Sequence, residues 1–422
     1  MHEGSGLGRV SDDTLYAVLP QRAAADLVVV ADVVVTMDAA GTVLTPGAVA
    51  VKNGAIVALG APGEVRARYD ASRLIEHANR LLMPGVVNGH THLAMVLFRV
   101  IADDLNLMDS LEHYIGPTEN AFITTDAVRW GTRLAIAELI RTGVTCFNDM
   151  YMHEDVVAEV AAQAGMRGVV CVPFLDADQD SGRKFALAES LVEKYRNHPL
   201  IRVGVSPHAP YTVSPPLFQK IHEFAVKHDL PVHTHLAETR TEEQDIQSRY
   251  GATPVRHLEN LGFLDERLIA AHCVWPDDEE IHLLARRGVG VVHNPRSNLK
   301  LASGVAPIPQ MLEAGVTVGL GTDGAASSNQ LDMFAELDAA ALIHKAVTLN
   351  PRVVPAAQGV AMATREGAKA IEMPHVGSLE IGKRADMVVL NLESDHRITW
   401  WGCTARCPTS HTRRAAGTCA RS

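Results

Sequence analysis

The sequence predicts an α/β protein: a (β/α)8 TIM-like barrel with a small β-sandwich domain built from both termini. Three observations point there. Eight short apolar, β-branched runs alternate with helix-spaced stretches between residues 82 and 324. Almost every run ends in His, Asn or Asp, and a barrel builds its active site from the C-terminal ends of its strands. Two further β-rich segments flank this array and carry the turn signals of hairpins.

The flanking segments come first in the chain. "DLVVVADVVVTM" and "GAVAVKNGAIVALG", the latter with a turn at Asn53-Gly54, read as antiparallel strands. The same texture returns in "GSLEIGKRADMVVLNL", residues 377–392. The expected domains are therefore a sandwich from 1–82 and 375–396, a barrel over 83–374, and an irregular tail over 397–422. The barrel strands are expected in "LMPGVVNGHTH" (82–92), "GVTCFNDM" (143–150), "RGVVCVPFL" (167–175), "IRVGVSPHAP" (201–210), "LPVHTHLAE" (230–238), "LIAAHCVW" (268–275), "GVGVVHNP" (288–295) and "GVTVGLGTDG" (315–324). Between them, stretches such as "AVRWGTRLAIAELIRTG" and "LFQKIHEFAVKHD" carry the apolar spacing of helices packed on a parallel sheet.

Composition narrows the class. The chain has 422 residues, 47% of them hydrophobic, and a formal net charge of -11, which argues against a nucleic-acid or polyanion partner. "MHEGSGLGRVSDDT" has no apolar leader core, and "ADLVVVADVVVTMDAAG" is interrupted by Asp26, Asp32 and Asp38. No membrane span is expected, and a cytoplasmic location is the default. Cys146, Cys171 and Cys273 lie in apolar runs and read as buried free thiols. Cys403, Cys407 and Cys419 lack paired zinc-site spacing. The segment from Arg397 to Ser422 holds five arginines and no acid. It has no strand or helix period, and reads as disordered or as the out-of-frame end of a longer natural sequence.

The strand-end residues suggest metal chemistry. His90 and His92 share parity on strand one, so both are expected to point into the barrel. Strand five offers His233 and His235, again of one parity, and a third imidazole would complete the open ligand set of a catalytic zinc site. Glu238, three residues past His235, stands where a proton shuttle would sit. Asp323 ends strand eight in "GLGTDGAASS", and His272 and His208 end strands six and four. Each has a plain alternative. An HxH pair also fits solvated histidines at a strand terminus. Glu238 fits a first-turn helix carboxylate, Asp323 a helix N-cap, and His272 or His208 a hydrogen-bonded core histidine. The convergence of all of them on the ends of one barrel's strands favours a metal-dependent hydrolase.

At these residues the sequence resembles the amidohydrolase superfamily, and within it the methylthioadenosine/S-adenosylhomocysteine deaminases and related chlorohydrolases. The matching text includes "PGVVNGHTHLAMVLFRVIADDL", "VGVSPHAPYTVS", "HTHLAET", "AAHCVW", "VHNPRSNLKLASGVAPI", "VGLGTDGAASSNQLDMFAEL" and "GSLEIGKRADMVVL". The resemblance implies one divalent metal, usually zinc, with iron or manganese as alternatives, held by His90, His92, His235 and Asp323. It implies Glu238 as acid/base and His272 as the histidine that orients the nucleophile, with Asp323 shared between metal and catalysis. It implies substrate contacts from His208, from Arg183 and from Asp109, the last at a glutamate position that binds ribose hydroxyls; Glu238 also touches substrate. The implied reaction is hydrolytic deamination of a purine nucleoside of the S-adenosylhomocysteine, methylthioadenosine or adenosine type. The alternative is hydrolysis of another amino- or chloro-heterocycle, such as a triazine or a guanine-like base.

This chain departs from the pattern in two respects. Ser110 and Gly116 stand where relatives commonly have Trp, which removes an aromatic face from the expected nucleoside pocket. The tail replaces the β structure that relatives add after "ADMVVL". Strand four carries no lysine of the kind that bridges two metals, so a mononuclear site is expected. The expected partner is a small-molecule substrate, with no nucleic acid or membrane, and homo-oligomerisation stays open.

Overall fold

The computed structural model describes residues 22–76, 78–177 and 181–392. The tail 397–422, with its three cysteines, and residues 1–21 and 393–396 of the expected sandwich lie outside the described residues. Seven strands precede the barrel: β1 (Ala23–Ala31), β2 (Val33–Val35), β3 (Val43–Leu44), β4 (Gly47–Lys52), β5 (Ala55–Gly60), β6 (Tyr69–Glu76) and β7 (Arg80–Pro84). The eight barrel strands follow: β8 (Val86–Thr91), β9 (Val144–Asp149), β10 (Arg167–Phe174), β11 (Ile201–Pro207), β12 (Val232–Leu236), β13 (Leu268–His272), β14 (Gly290–His293) and β15 (Thr317–Leu320). The chain then returns to the small domain with β16 (Met387–Asn391).

The small domain is two four-stranded sheets, ordered β5-β4-β1-β6 and β16-β7-β2-β3. Val29, Val49 and Ile56 of the first sheet share a buried core with Val34 and Leu82 of the second. The turn at Asn53-Gly54 has φ of 51° and 72°, as a two-residue hairpin turn requires. The expectation of antiparallel pairing throughout is corrected. β1 pairs with β6, and β2 with β7, in parallel. The helix Pro62–Arg68 between β5 and β6 supplies the crossover a parallel pair needs.

The first expected barrel strand also divides. Its opening residues belong to β7 in the small domain, and the barrel strand proper begins at Val86. Gly85 sits at the junction. A Cβ there would lie 2.0 Å from Thr145 Oγ1, so only glycine lets the chain pass from one sheet to the other against β9. Across the same seam, Arg167 of β10 holds Asp386 in a fork, Nε–Oδ2 at 2.7 Å and Nη2–Oδ1 at 3.0 Å.

The barrel sheet runs β8 to β15 in sequence order, with every adjacent pair parallel. It nearly closes between β15 and β8: just past β15, the Asp323 N–H donates to the His90 carbonyl at 2.9 Å. Asn88 reinforces the closure, accepting from Thr322 N–H at 3.1 Å and donating to Thr322 Oγ1 at 2.8 Å. Val87, Cys146, Val169, Cys171, Ile269 and Val292 form an inner core, beneath the strand ends. A larger apolar shell packs strands against the outer helices. The helix-spaced segments form as expected, including Thr125–Arg141, N-capped by Thr124, and Pro215–His228. Cys146, Cys171 and Cys273 are buried and free. Among the described residues, no helix is long and apolar enough to cross a membrane.

Candidate metal centre

The C-terminal strand ends meet at one cluster of rings. His90 lies with its ring centroid 4.9 Å from His92, 5.0 Å from His235 and 5.3 Å from His272. The register of β8 on β9 shifts between Asn88 and Thr91, an irregularity of the kind that re-aims side chains, just where the two histidines turn inwards. Asp323 faces them: its Oδ1 is 3.4 Å from His90 Nε2 and 3.3 Å from His92 Nε2. Residue types and spacing alone brought these groups under suspicion; closure of β15 onto β8 brings Asp323 within reach.

Each ring is oriented from behind. His92 Nδ1–H donates to the Met150 carbonyl at 2.5 Å, and His235 Nδ1–H to the His208 carbonyl at 2.8 Å, so both present Nε2 lone pairs to the centre. His90 Nδ1 is 3.0 Å from His233 Nε2, which places His233 behind His90 and leaves His235 as the inward histidine of strand five. Asp323 Oδ2 accepts from Ser297 Oγ at 2.6 Å and Ser327 Oγ at 2.7 Å, and Oδ1 accepts from Gly324 N–H at 2.6 Å. His272 Nδ1 bonds Asn298 Oδ1 at 2.8 Å. Ser297 and Asn298 are neighbours on the short helix after strand seven, Pro295–Lys300, so one helix steadies both Asp323 and His272. The strand-seven histidine, His293, instead pairs with His344, Nε2 to Nε2 at 3.2 Å, in the protein interior.

The donor set fits a divalent cation. Three imidazoles and a carboxylate are zinc-type ligands. The buried Nε2 of His90 has no hydrogen-bond partner. The ligand atoms of His90, His92 and Asp323 lie within 4.8 Å of one another, as do those of His90, His235 and His272. Electrostatics agree. Burial opposes charge on His92, yet the Asp323 carboxylate outweighs it and raises the imidazole to about 9. Burial drives His90 down to about 3 and His235 well below its ordinary value. The Asp323 carboxylate thus favours positive charge at this point, beside His90 and His235, which burial keeps neutral.

Glu238 is buried two residues past β12, its Oε1 3.8 Å from His272 Nδ1. Burial raises its carboxyl pKa against the opposing pull of His272, as suits a group that must hold a proton and release it. His208 contacts the cluster at 4.8 Å from His235, bonds Thr212 Oγ1 at 2.9 Å, and is kept neutral by burial, with its pKa lowered to about 4.

Two expected substrate residues lie at exposed positions. Asp109 is exposed and accepts from Asn106 Nδ2 at 2.6 Å. Arg183 is exposed on the first turn of helix Ser181–Tyr195. A second acid of that region, Glu119, was not singled out in the sequence and is linked towards the cluster through Tyr151. Its Oε1 accepts from Tyr151 Oη at 2.6 Å, and the Tyr151 ring lies 6.2 Å from that of His92. Burial raises the Glu119 carboxyl. Glu119 stands ten residues beyond Asp109, past a π-helical turn, Leu111–Ile115, which the sequence pattern did not signal. Ser110 is buried. At Gly116 a Cβ would lie 2.8 Å from the Leu111 carbonyl, so that turn as built admits no larger residue there.

A profile of the amidohydrolase family matches residues 81–411. The chain belongs to the amidohydrolase family. Within it, a curated 5-methylthioadenosine/S-adenosylhomocysteine deaminase of Syntrophobacter fumaroxidans is 46% identical over 399 residues, covering 93% of this chain and 89% of that one. An adenosine deaminase from Xanthomonas campestris, solved with bound zinc, is 42% identical with a TM-score of 0.86, covering 89% of this chain and 86% of that one. An atrazine chlorohydrolase from Arthrobacter aurescens, complexed with zinc, is 26% identical with a TM-score of 0.82, covering 88% of each chain. This amidohydrolase is an enzyme of the hydrolase class, acting on carbon–nitrogen bonds of a small molecule.

Proposed function

We propose that the protein is a metal-dependent aminohydrolase of a purine nucleoside of the S-adenosylhomocysteine, methylthioadenosine or adenosine type. The observation that carries this reading is the pair of ligand triads that share His90, one with His92 and Asp323 and one with His235 and His272, beside the buried Glu238, whose carboxyl pKa burial raises. The similarity to deaminases of such nucleosides supports the substrate class. His90, His92, His235 and Asp323 would hold one divalent ion, zinc by the chemistry of the donors. When bound, that ion supplies the Lewis acidity that makes water nucleophilic near neutral pH.

The remaining work falls to the chain's own residues. His272, with Nδ1–H given to Asn298, accepts a hydrogen bond from the attacking water through Nε2. Glu238 takes that water's proton and delivers it to the ring nitrogen of the N=C–NH2 group, which makes the carbon electrophilic. It then transfers the second water proton to the exocyclic amine, which leaves as ammonia. The amidine becomes a lactam, as adenine becomes hypoxanthine, and the balance is one water consumed for one ammonia released. His208 and Glu119 line the approach, the former as a neutral imidazole and the latter as an acceptor for hydroxyls.

The small Ser110 side chain supports a second substrate class, amino- or chloro-triazines and guanine-like bases, through the same machinery. The deciding experiment is ammonia release measured on adenosine, methylthioadenosine, S-adenosylhomocysteine, guanine and an aminotriazine. Highest kcat/KM is expected on a thio-substituted adenosine. No turnover of any adenosine derivative, with turnover of the triazine or guanine, would overturn the nucleoside assignment.

A further inference from the structure

Strand five turns sharply before it reaches its acid. Ala237 adopts φ 51°, a left-handed conformation that non-glycine residues seldom enter and that clusters at functional sites. The turn leaves two successive backbone N–H groups, those of Ala237 and Glu238, facing one carboxylate. Glu242 Oε1 accepts from Ala237 N–H at 3.0 Å, and Oε2 accepts from Glu238 N–H at 2.7 Å. Glu242 is itself only 3% exposed.

The local sequence makes this arrangement informative. Thr239 N-caps the helix Arg240–Tyr250 and accepts from the Glu242 N–H at 3.1 Å. Thr239-x-x-Glu242 therefore has the pattern of a capping box, in which the glutamate returns to the N-cap's own N–H. Such a box forms elsewhere in this chain, where Glu280 accepts from Asp277 N–H at 2.9 Å. Glu242 instead reaches past the cap to the two preceding residues. The diversion is unfavourable for the carboxylate: burial pushes it up to about 8, against the Glu238 N–H that lowers it and with the neighbouring Glu238 charge adding to the rise. A surface cap would avoid that cost.

We propose that Glu242 is a positioning residue for Glu238, its carboxylate clamping the backbone turn that carries the acid/base towards His272. This rests on the reading of Glu238 as the acid/base. With both N–H groups held, the Glu238 side chain starts from a fixed Cα and needs only its own rotamer to meet His272. Without the clamp, the Ala237 turn can relax and the acid loses its aim, while His90, His92 and Asp323 on other strands keep theirs and His235, within β12 ahead of the turn, stays held by the His208 carbonyl at 2.8 Å.

The test compares wild type with Glu242→Ala and the isosteric Glu242→Gln, with Glu238→Gln alongside. Amide hydrogen exchange at Ala237 and Glu238, metal content, and kcat and KM on methylthioadenosine are measured for each. Exchange at the two amides is expected to quicken by about tenfold or more in Glu242→Ala. Its kcat should fall by about 10- to 100-fold, with KM changed by less than about threefold and metal content unchanged. Glu242→Gln keeps one acceptor and should lie between, and it carries the test if the alanine variant does not fold. Unchanged exchange, a loss confined to KM, or a parallel loss of metal would overturn the proposal. Wild-type-like turnover by Glu238→Gln, or no turnover of methylthioadenosine by wild type, would count against the acid/base or substrate reading instead, and the exchange comparison would still decide whether Glu242 holds the turn.

Discussion

Glu238→Gln is the substitution that bears most directly on the chemistry. The amide keeps the size and one acceptor of the carboxyl but can neither take nor return a proton. Glu238 is 4% exposed, and burial raises its pKa, so bulk water is poorly placed to substitute for it. General acid–base catalysis of this kind contributes about 100- to 10,000-fold. At about 1.4 kcal/mol per decade that is roughly 3–5 kcal/mol of transition-state stabilisation. Glu238 serves two proton transfers in the proposed reaction, so the upper end of that range is expected. The assay is ammonia release under saturating and limiting substrate, with metal content measured on the same sample. The metal should stay at the wild-type stoichiometry, because the proposed ligands are other residues. A kcat/KM within about fivefold of wild type, too little for any general acid–base role, would refute the assignment. A loss of metal matching the loss of rate would mean that Glu238 acts as a ligand.

Three further outcomes follow from the geometry. Asn298→Ala leaves His272 Nδ1 without its 2.8 Å partner, so kcat should drop by about 10- to 100-fold with metal content retained; equal rates would make Asn298 a packing residue only. Arg167→Ala strands the largely buried Asp386 carboxylate at the seam between barrel and small domain, and should cost about 3 kcal/mol or more in urea unfolding, whereas less than about 1 kcal/mol would place the pair in the weak class of surface bridges. Burial raises Asp149 to about 7, and Glu154 beside it is raised well above its ordinary value. Acids raised in the folded state contribute stability that is fully present below their unfolded pKa, about 4, and is lost as pH rises through the folded value. The pair therefore contributes a loss of stability between about pH 4, the unfolded value, and about pH 7, that of Asp149, and Glu154→Gln should flatten that part of the decline in urea titrations at the two pH values. A variant whose decline is as steep as wild type would refute the coupling.

Much of the site was legible from residue type and position. Eight apolar runs with polar ends announced a barrel, and His90, His92, His235, His272 and Asp323 stand where the strand ends placed them. What escaped was whatever depended on a partner far along the chain or on a local irregularity. Glu119 gained its place from its bond to Tyr151 after strand two, beyond a π-helical turn that no sequence period announces. Ser297 and Asn298 look like ordinary residues opening a short helix until Asp323 and His272 are set against them. His233 and His235 are equivalent by parity, and only the ring of His90 separates the supporting histidine from the presenting one. Gly85 reads as part of a continuous strand until Thr145 shows that the chain changes sheets there.

By itself the sequence determined the barrel, the chemical types of the ligands and the strand ends that carry them, because strand and helix periods record which residues must be buried, and such imidazoles and carboxylates do not gather at strand ends without a use. The tertiary structure decided which ring nitrogens face the centre, which side chains orient them from behind and which carboxylate accepts from the Ala237 and Glu238 N–H groups. Those choices are made by register, by closure of β15 onto β8 and by hydrogen bonds across the barrel, and their energies depend on angstrom-scale distances between residues that no sequence period connects.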